Sequence, residues 1–156
     1  MNEKAKQYWD EFWRGKEQPT AVVAEQFGFE EHADELAQLI IDGKKTATCS
    51  AHVLYELENC PLPEAGLYTI ILNSSNDPVA IIRTNEIQLI KMNEVPEELA
   101  LAEGEGDLTF EYWWNGHKKF FTMELKEHGL EFSEDMLLVF ERFEVVDVKG
   151  VSYLSP

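Results

Sequence analysis

Two lysines and two threonines crowd into Gly43-Lys44-Lys45-Thr46-Ala47-Thr48-Cys49-Ser50, which brings cationic donors and hydroxyls into one short stretch. A lysine made neutral by burial can take the proton of a threonine hydroxyl, and the hydroxyl oxygen can then attack a carbonyl carbon. A nearby carboxylate would tune both groups, because an opposite charge favours each ionised form. The chain offers carboxylates in Glu103-Gly104-Glu105-Gly106-Asp107, where they alternate with glycines that tolerate positive φ. Each feature also has an ordinary reading. Lysines after a helix complement its dipole, and acidic turns are usually solvated or cap the helix that follows. Cys49 stands beside the motif without an evident histidine partner and reads as structural.

The elements that must position these groups follow from periodicity. Ala33, Leu36, Ala37, Ile40 and Ile41 recur at three- and four-residue spacings, so residues 31–42 form an amphipathic helix. Gly43 sits where helices end at positive φ, and the Thr-rich residues after it suit a strand. Lys45 and Thr48 therefore lie at a helix-to-strand junction. Upstream, residues 3–15 form a first helix with Tyr8, Trp9, Phe12 and Trp13 as an aromatic stripe, a pattern typical of core packing. Residues 18–28, with Pro19 and Gly28, form a loop or short extended piece.

Downstream, residues 47–58 run from strand into a short helix, and residues 60–66 are a Pro- and Gly-containing loop. Residues 67–72 and 79–90 are β-favouring runs joined by the turn 73–78, which predicts a hairpin. A short helix spans 96–102, and Asp107 is the expected N-cap of a longer helix over 108–125. That helix carries Tyr112, Trp113, His117, Phe120 and Phe121 on an aromatic face, where a histidine is ordinarily a hydrogen-bonded packing residue. Residues 136–148 are the last β segment. Strands mixed with flanking helices give an α+β class, a small β-barrel or strongly curved sheet.

Bulk composition narrows the function. A chain of 156 residues with 44% hydrophobic content suits one globular domain with a proper core. No apolar run approaches a membrane span and no signal-peptide core is visible, so the expectation is a cytoplasmic protein. Two cysteines make no disulfide framework, and no clustered Cys/His set predicts a structural metal. The expected metal and cofactor content is none. A net charge of −17 opposes binding of long duplex nucleic acid, which needs several phosphates neutralised by Lys and Arg.

The ordered set of motifs resembles a known family. Gly43-x-Lys45-x-x-Thr48 after a helix is similar to the signature of the ASCH domain, the activating-signal-cointegrator homology family of PUA-like β-barrels. Ala33 to Leu36, Ala102 to Asp107, Tyr112-Trp113 with His117, and Phe140 to Val146 extend the resemblance to its bacterial branch. It implies a PUA-like small β-barrel with flanking helices over residues 25–148, preceded by a helix and lead-in (1–24) and followed by a tail (149–156), all one globular unit. It also implies a nucleoside or short-RNA ligand. Family members include proposed RNA-binding modules, a reported ribonuclease, and amidohydrolases that deacetylate N(4)-acetylcytidine.

In those amidohydrolases a lysine, a threonine and a glutamate carry the chemistry. Matched by motif, these are Lys45, Thr48 and Glu105, with Glu103 as competitor for the last. Thr48 would then be the nucleophile, Lys45 its base and Glu105 an orienting or proton-transfer group. Many members place an arginine two residues after the threonine, where this chain has Ser50, so its substrate contact is either missing or supplied elsewhere, with Arg83 a candidate replacement. Gly43, Glu103 and His117 complete the candidate substrate contacts. Expected partners are a small nucleoside or short RNA and no membrane, with the aromatic stripe of the first helix open to a homodimer.

Overall fold

A computed structural model describes residues 1–150. Its helices are α1 (Glu3–Phe12), α2 (Ala33–Ile41), α3 (His52–Leu57), α4 (Glu97–Leu101) and α5 (Phe110–Glu127). Its strands are β1 (Val22–Glu25), β2 (Ala47–Ala51), β3 (Tyr68–Leu72), β4 (Pro78–Lys91) and β5 (Leu137–Val148). Single 3-10 turns occupy Glu30–His32 and Met92–Glu94. The strands form one sheet in the order β1-β3-β4-β5-β2. Among the described residues no helix is long and apolar enough to cross a membrane. Of the expected tail 149–156, residues 151–156 lie outside the described residues.

The α+β class holds, and the closed barrel does not. A barrel needs its two edge strands to pair with each other. Here the edges are β1, four residues pairing parallel with β3, and β2, five residues pairing antiparallel with β5. With no ladder between β1 and β2 the sheet stays open.

The chain divides into two compact units, through both of which β4 and β5 run. The first comprises residues 1–43, 64–85 and 143–150 of those described. In it the expected hairpin forms, with β3 and β4 antiparallel from Tyr68 opposite Arg83 to Leu72 opposite Pro78. Its turn is fixed by Asn73, whose side-chain oxygen accepts the amides of Ser75 and Asp77. One core cluster joins Ala5, Tyr8 and Trp9 of α1 to Ile70, Leu72 and Ile81. The aromatic stripe is therefore packed inward, with Trp9 edge-on to Trp13 and Tyr68. A second cluster joins Leu36, Ala37 and Ile40 of α2 to Ile71, Ala80, Ile82, Phe27 and Phe143. Helix α1 starts at its Asn2 cap and ends at Phe12, short of the expected 15.

The second unit comprises residues 44–63 and 86–142. Its core gathers Ala47 and Ala51 of β2, Leu99 and Ala100 of α4, Trp113, Phe121 and Leu125 of α5, and Leu138 and Phe140 of β5. The cap of α5 differs from expectation. Thr109, whose hydroxyl accepts the Tyr112 amide, is the N-cap, while Asp107 accepts from the amide and hydroxyl of Thr109. The extra residues are needed because Leu108 takes positive φ (61°), which no helix accommodates.

Ile70 is fully buried between α1 and the hairpin, so Ile70→Ala should cost about 2–5 kcal/mol of unfolding free energy. Leu89→Ala, at an exposed β4 position, should change it by less than about 0.5 kcal/mol. Urea denaturation of both variants checks the contrast; equal effects would mean that the hairpin core is misplaced.

Candidate functional site

The site lies within the second unit and begins with a backbone clamp. The Ala102 carbonyl accepts the amides of Thr46 (2.8 Å) and Ala47 (3.1 Å) and the Thr46 hydroxyl (3.2 Å), which fastens the acidic loop to the entry of β2. Gly104, at φ 68°, continues that approach: a Cβ there would lie 2.0 Å from the Lys44 carbonyl oxygen. Gly106, at φ 63°, lies under the Tyr112 ring, which a Cβ would strike at 2.2 Å. Only glycine satisfies both the dihedral and the space at these positions.

This clamp directs Lys45 inward. Its side chain is 2% exposed and its Nζ donates to Glu103 Oε1 at 3.1 Å and to Glu105 Oε2 at 3.0 Å. Glu103 is equally buried and receives a second set of donors at Oε2: Trp113 Nε1 at 2.5 Å, His117 Nε2 at 3.1 Å and Cys49 Sγ at 3.3 Å. Helix α5 supplies two of these because Trp113 and His117 are four residues apart and stack at 4.7 Å between ring centres. The other nitrogen of His117, Nδ1, lies 2.9 Å from the Trp113 carbonyl oxygen, an acceptor, so Nδ1 carries a proton. Glu105 differs from Glu103. It is 26% exposed, and Lys45 is its one side-chain donor among the described residues.

The electrostatics follow from these contacts. Burial alone would lower the pKa of Lys45, but the charges of Glu103 and Glu105 and their hydrogen bonds outweigh it and raise it above 10.5. Lys45 is thus an ammonium at neutral pH, which corrects the expectation that burial would make it a neutral base. Burial opposes ionisation of Glu103, yet His117 and Lys45 hold its carboxyl well below the usual range. His117 is likewise penalised by burial and raised overall by Glu103. Burial pushes the Cys49 thiol well above its ordinary 9.0, and the Glu103 charge adds to the rise. A thiol so placed is a poor nucleophile.

Lys45, Glu103, Glu105 and His117 of the sequence candidates thus meet in one network. Thr48 does not join it by any hydrogen bond among the described residues. Strand alternation gives the reason: Ala47, Cys49 and Ala51 share the β2 face that packs on the core, and Thr48 and Ser50 take the other. Ser50 shares a hydrogen bond with the Tyr55 hydroxyl at 2.7 Å. Gly43 (φ 74°) and Arg83 belong to the first unit, where Gly43 follows α2 and Arg83 donates to Asn85 at 3.2 Å. Sequence reasoning missed Trp113 as a donor and the convergence of Cys49 and His117 on one oxygen of Glu103. The signals were the parity of β2 and the four-residue step from Trp113 to His117. Cys49 Sγ, a Glu103 oxygen and a His117 nitrogen lie within 4.8 Å of one another, a donor set capable of holding a metal ion.

The ASCH domain family model matches residues 23–147. The chain is similar to an ASCH domain from Lactobacillus crispatus JV V101, with 33% identity, TM-score 0.88, and 94% of this chain and 96% of that one covered. It is also similar to protein EF3133 from Enterococcus faecalis V583, with 39% identity, TM-score 0.86, and coverage of 96% and 92%. No curated protein matches.

The Glu103–His117 pair sets a pH window. Glu103 is lowered from 4.5, so its contribution is complete above 4.5 and is lost as pH falls through its folded value. His117 is raised from 6.5, so its contribution is complete below 6.5 and is lost as pH rises through its folded value. Wild type should exceed His117→Asn in stability by about 1.5–3 kcal/mol near pH 5.5, and the gap should narrow in alkaline buffer. Denaturant titrations across that range check it; a gap independent of pH would show that His117 is uncharged.

Proposed function

Because the chain belongs to the ASCH domain family, we propose that it is an amidohydrolase acting on an acylated nucleoside such as N(4)-acetylcytidine, with the Lys45–Glu105 pair as its reacting centre. The observation that carries this reading is the state of the Lys45 ammonium. It has three N–H groups, two of which serve Glu103 and Glu105, and the third has no acceptor among the described residues. A buried N–H without an acceptor is costly, and a substrate carbonyl oxygen would supply one.

The two glutamates divide the work. Glu103 accepts from Lys45, Cys49, Trp113 and His117, so its lone pairs are engaged and it serves as anchor. Glu105, partly exposed and with one donor, is the one assigned to proton transfer. In the proposed reaction Glu105 takes the proton of an attacking hydroxyl whose oxygen bonds to the amide carbon. The carbonyl π electrons move to oxygen, where the Lys45 ammonium stabilises the charge that develops. Collapse breaks the C–N bond, and Glu105 returns the proton to the departing amine. The resemblance names Thr48 as the hydroxyl, forming an ester that water then hydrolyses. Since Thr48 shares no hydrogen bond with Lys45 or Glu105, a water molecule is the alternative nucleophile. The competing reading, an RNA-binding module, meets the −17 charge, which repels a phosphate chain.

The test is chromatographic detection of cytidine from N(4)-acetylcytidine for wild type, Glu105→Gln and Thr48→Ala. Wild type should release cytidine, and Glu105→Gln should lower the rate by about 100-fold or more. Loss in Thr48→Ala identifies the threonine as nucleophile, and retention identifies water. No release by wild type would reject this substrate. Lys45→Ala is a poorer probe, since removing one partner of a buried ion pair costs roughly 3–5 kcal/mol of stability.

A further inference from the structure

We propose that Cys49, Glu103 and His117 form a transition-metal site, suited to Zn²⁺, with a fourth coordination position left open. This goes beyond the hydrolase reading and does not rest on it. The three donors are a thiol sulfur, a carboxylate oxygen and an imidazole nitrogen, the ligand types that zinc takes. Two of their separations are close to what such a site needs. In a tetrahedral site with bonds of about 2.0–2.3 Å, neighbouring ligand atoms lie roughly 3.3–3.8 Å apart. Glu103 Oε2 lies 3.1 Å from His117 Nε2 and 3.3 Å from Cys49 Sγ, and all three donor atoms fall within 4.8 Å.

The surroundings are arranged as outer groups around a metal usually are. A metal-bound histidine commonly donates its second ring N–H to a backbone carbonyl, which fixes the tautomer. His117 Nδ1 meets the Trp113 carbonyl in this way, leaving Nε2 to face Glu103. The other oxygen of Glu103 is held by Lys45, and its Oε2 is oriented by the Trp113 indole N–H. His117 is 14% exposed and Cys49 is only partly buried, so an ion and a fourth ligand have a route in.

Charge is conserved by the exchange. Without metal, two cations (Lys45 and His117) face two carboxylates (Glu103 and Glu105) beside a neutral thiol. On binding, the Cys49 S–H proton and the His117 Nε2 proton leave to solvent and one divalent cation takes their place. Net charge is unchanged, so the buried site gains no uncompensated charge, the usual obstacle to burying an ion. No oxidation or reduction occurs.

The experiment is a Co²⁺ titration of the chelator-treated full chain without substrate, followed by absorbance. Wild type and Cys60→Ser should both develop a thiolate-to-cobalt charge-transfer band, which excess Zn²⁺ removes. Cys49→Ala should lose the band, and His117→Gln should weaken cobalt binding by more than about ten-fold, the loss that even outer-shell changes produce. Cobalt on surface carboxylates gives no such band. No band in wild type, a band that survives Cys49→Ala, or undiminished binding in His117→Gln would each overturn the proposal. Should His117→Gln fail to fold, zinc-edge X-ray absorption of wild type decides the matter: one sulfur at roughly 2.3 Å supports the site, and a shell of oxygen alone overturns it. The hydrolase assay can fail while this titration succeeds, so the two readings are separable.

Discussion

A lysine ammonium held out of water is the constraint to which the second unit is built. Removing an ammonium or a carboxylate from water costs several kcal/mol per ion, and attraction between the two offsets that cost only when the remaining hydrogen-bonding capacity is satisfied. The chain meets most of the requirement by surrounding Lys45 and Glu103 with donors and acceptors from three elements, and among the described residues it leaves one Lys45 N–H without an acceptor. The Lys45 stretch leads into β2, Glu103 follows α4, and Trp113 and His117 come from α5. The acidic loop approaches the Lys44 carbonyl and the Tyr112 ring more closely than a residue with a Cβ could. Hence glycine at 104 and 106, and hence the Ala102 carbonyl taking three donors from residues 46 and 47. A hydrophobic pair of similar volume would ordinarily serve stability as well. So costly an arrangement, in a unit that already has an apolar core around Phe121 and Phe140, argues for a role in chemistry.

The same network explains why two acids two residues apart are not equivalent. Glu103 has its oxygens fixed by four donors, which makes it rigid and keeps it charged over a wide pH range. Glu105 touches the same ammonium from the partly exposed side. The intervening Gly104 at positive φ lets the backbone turn so that both side chains reach one nitrogen. A carboxylate enclosed by four donors and a partly exposed one with a single donor stand in different surroundings. One glycine separates them here.

Local periodicity revealed most of the elements. The three- and four-residue spacing at Leu36 and Ile40 gave α2, the β-favouring runs at 67–72 and 79–90 gave the hairpin, and the motif at 43–48 gave the helix-to-strand junction. What escaped was non-local. Whether a sheet closes depends on edge strands far apart in sequence, and nothing in Val22–Glu25 or Ala47–Ala51 announces with what each pairs. The charge state of Lys45 was hidden for the same reason: burial lowers a lysine, two acids raise it, and the balance depends on residues about sixty positions away. The cap of α5 moved from Asp107 to Thr109 through a positive φ at Leu108, a dihedral that residue type alone argues against.

The parity of β2 decides which chemistry the motif can reach. A strand sends adjacent side chains to opposite faces, so Thr48 and Cys49 cannot both face Glu103. The face with Ala47 and Ala51 packs on the core, since small residues there admit Trp113 and Phe140, and Cys49 shares that face. A threonine nucleophile must therefore work from the other face of β2, where Ser50 is already committed to Tyr55. A metal at Cys49 would draw on the face that holds Glu103 and His117. The two proposed chemistries would use opposite sides of one five-residue strand, and Lys45, entering before the strand begins, is the group whose position does not depend on that choice.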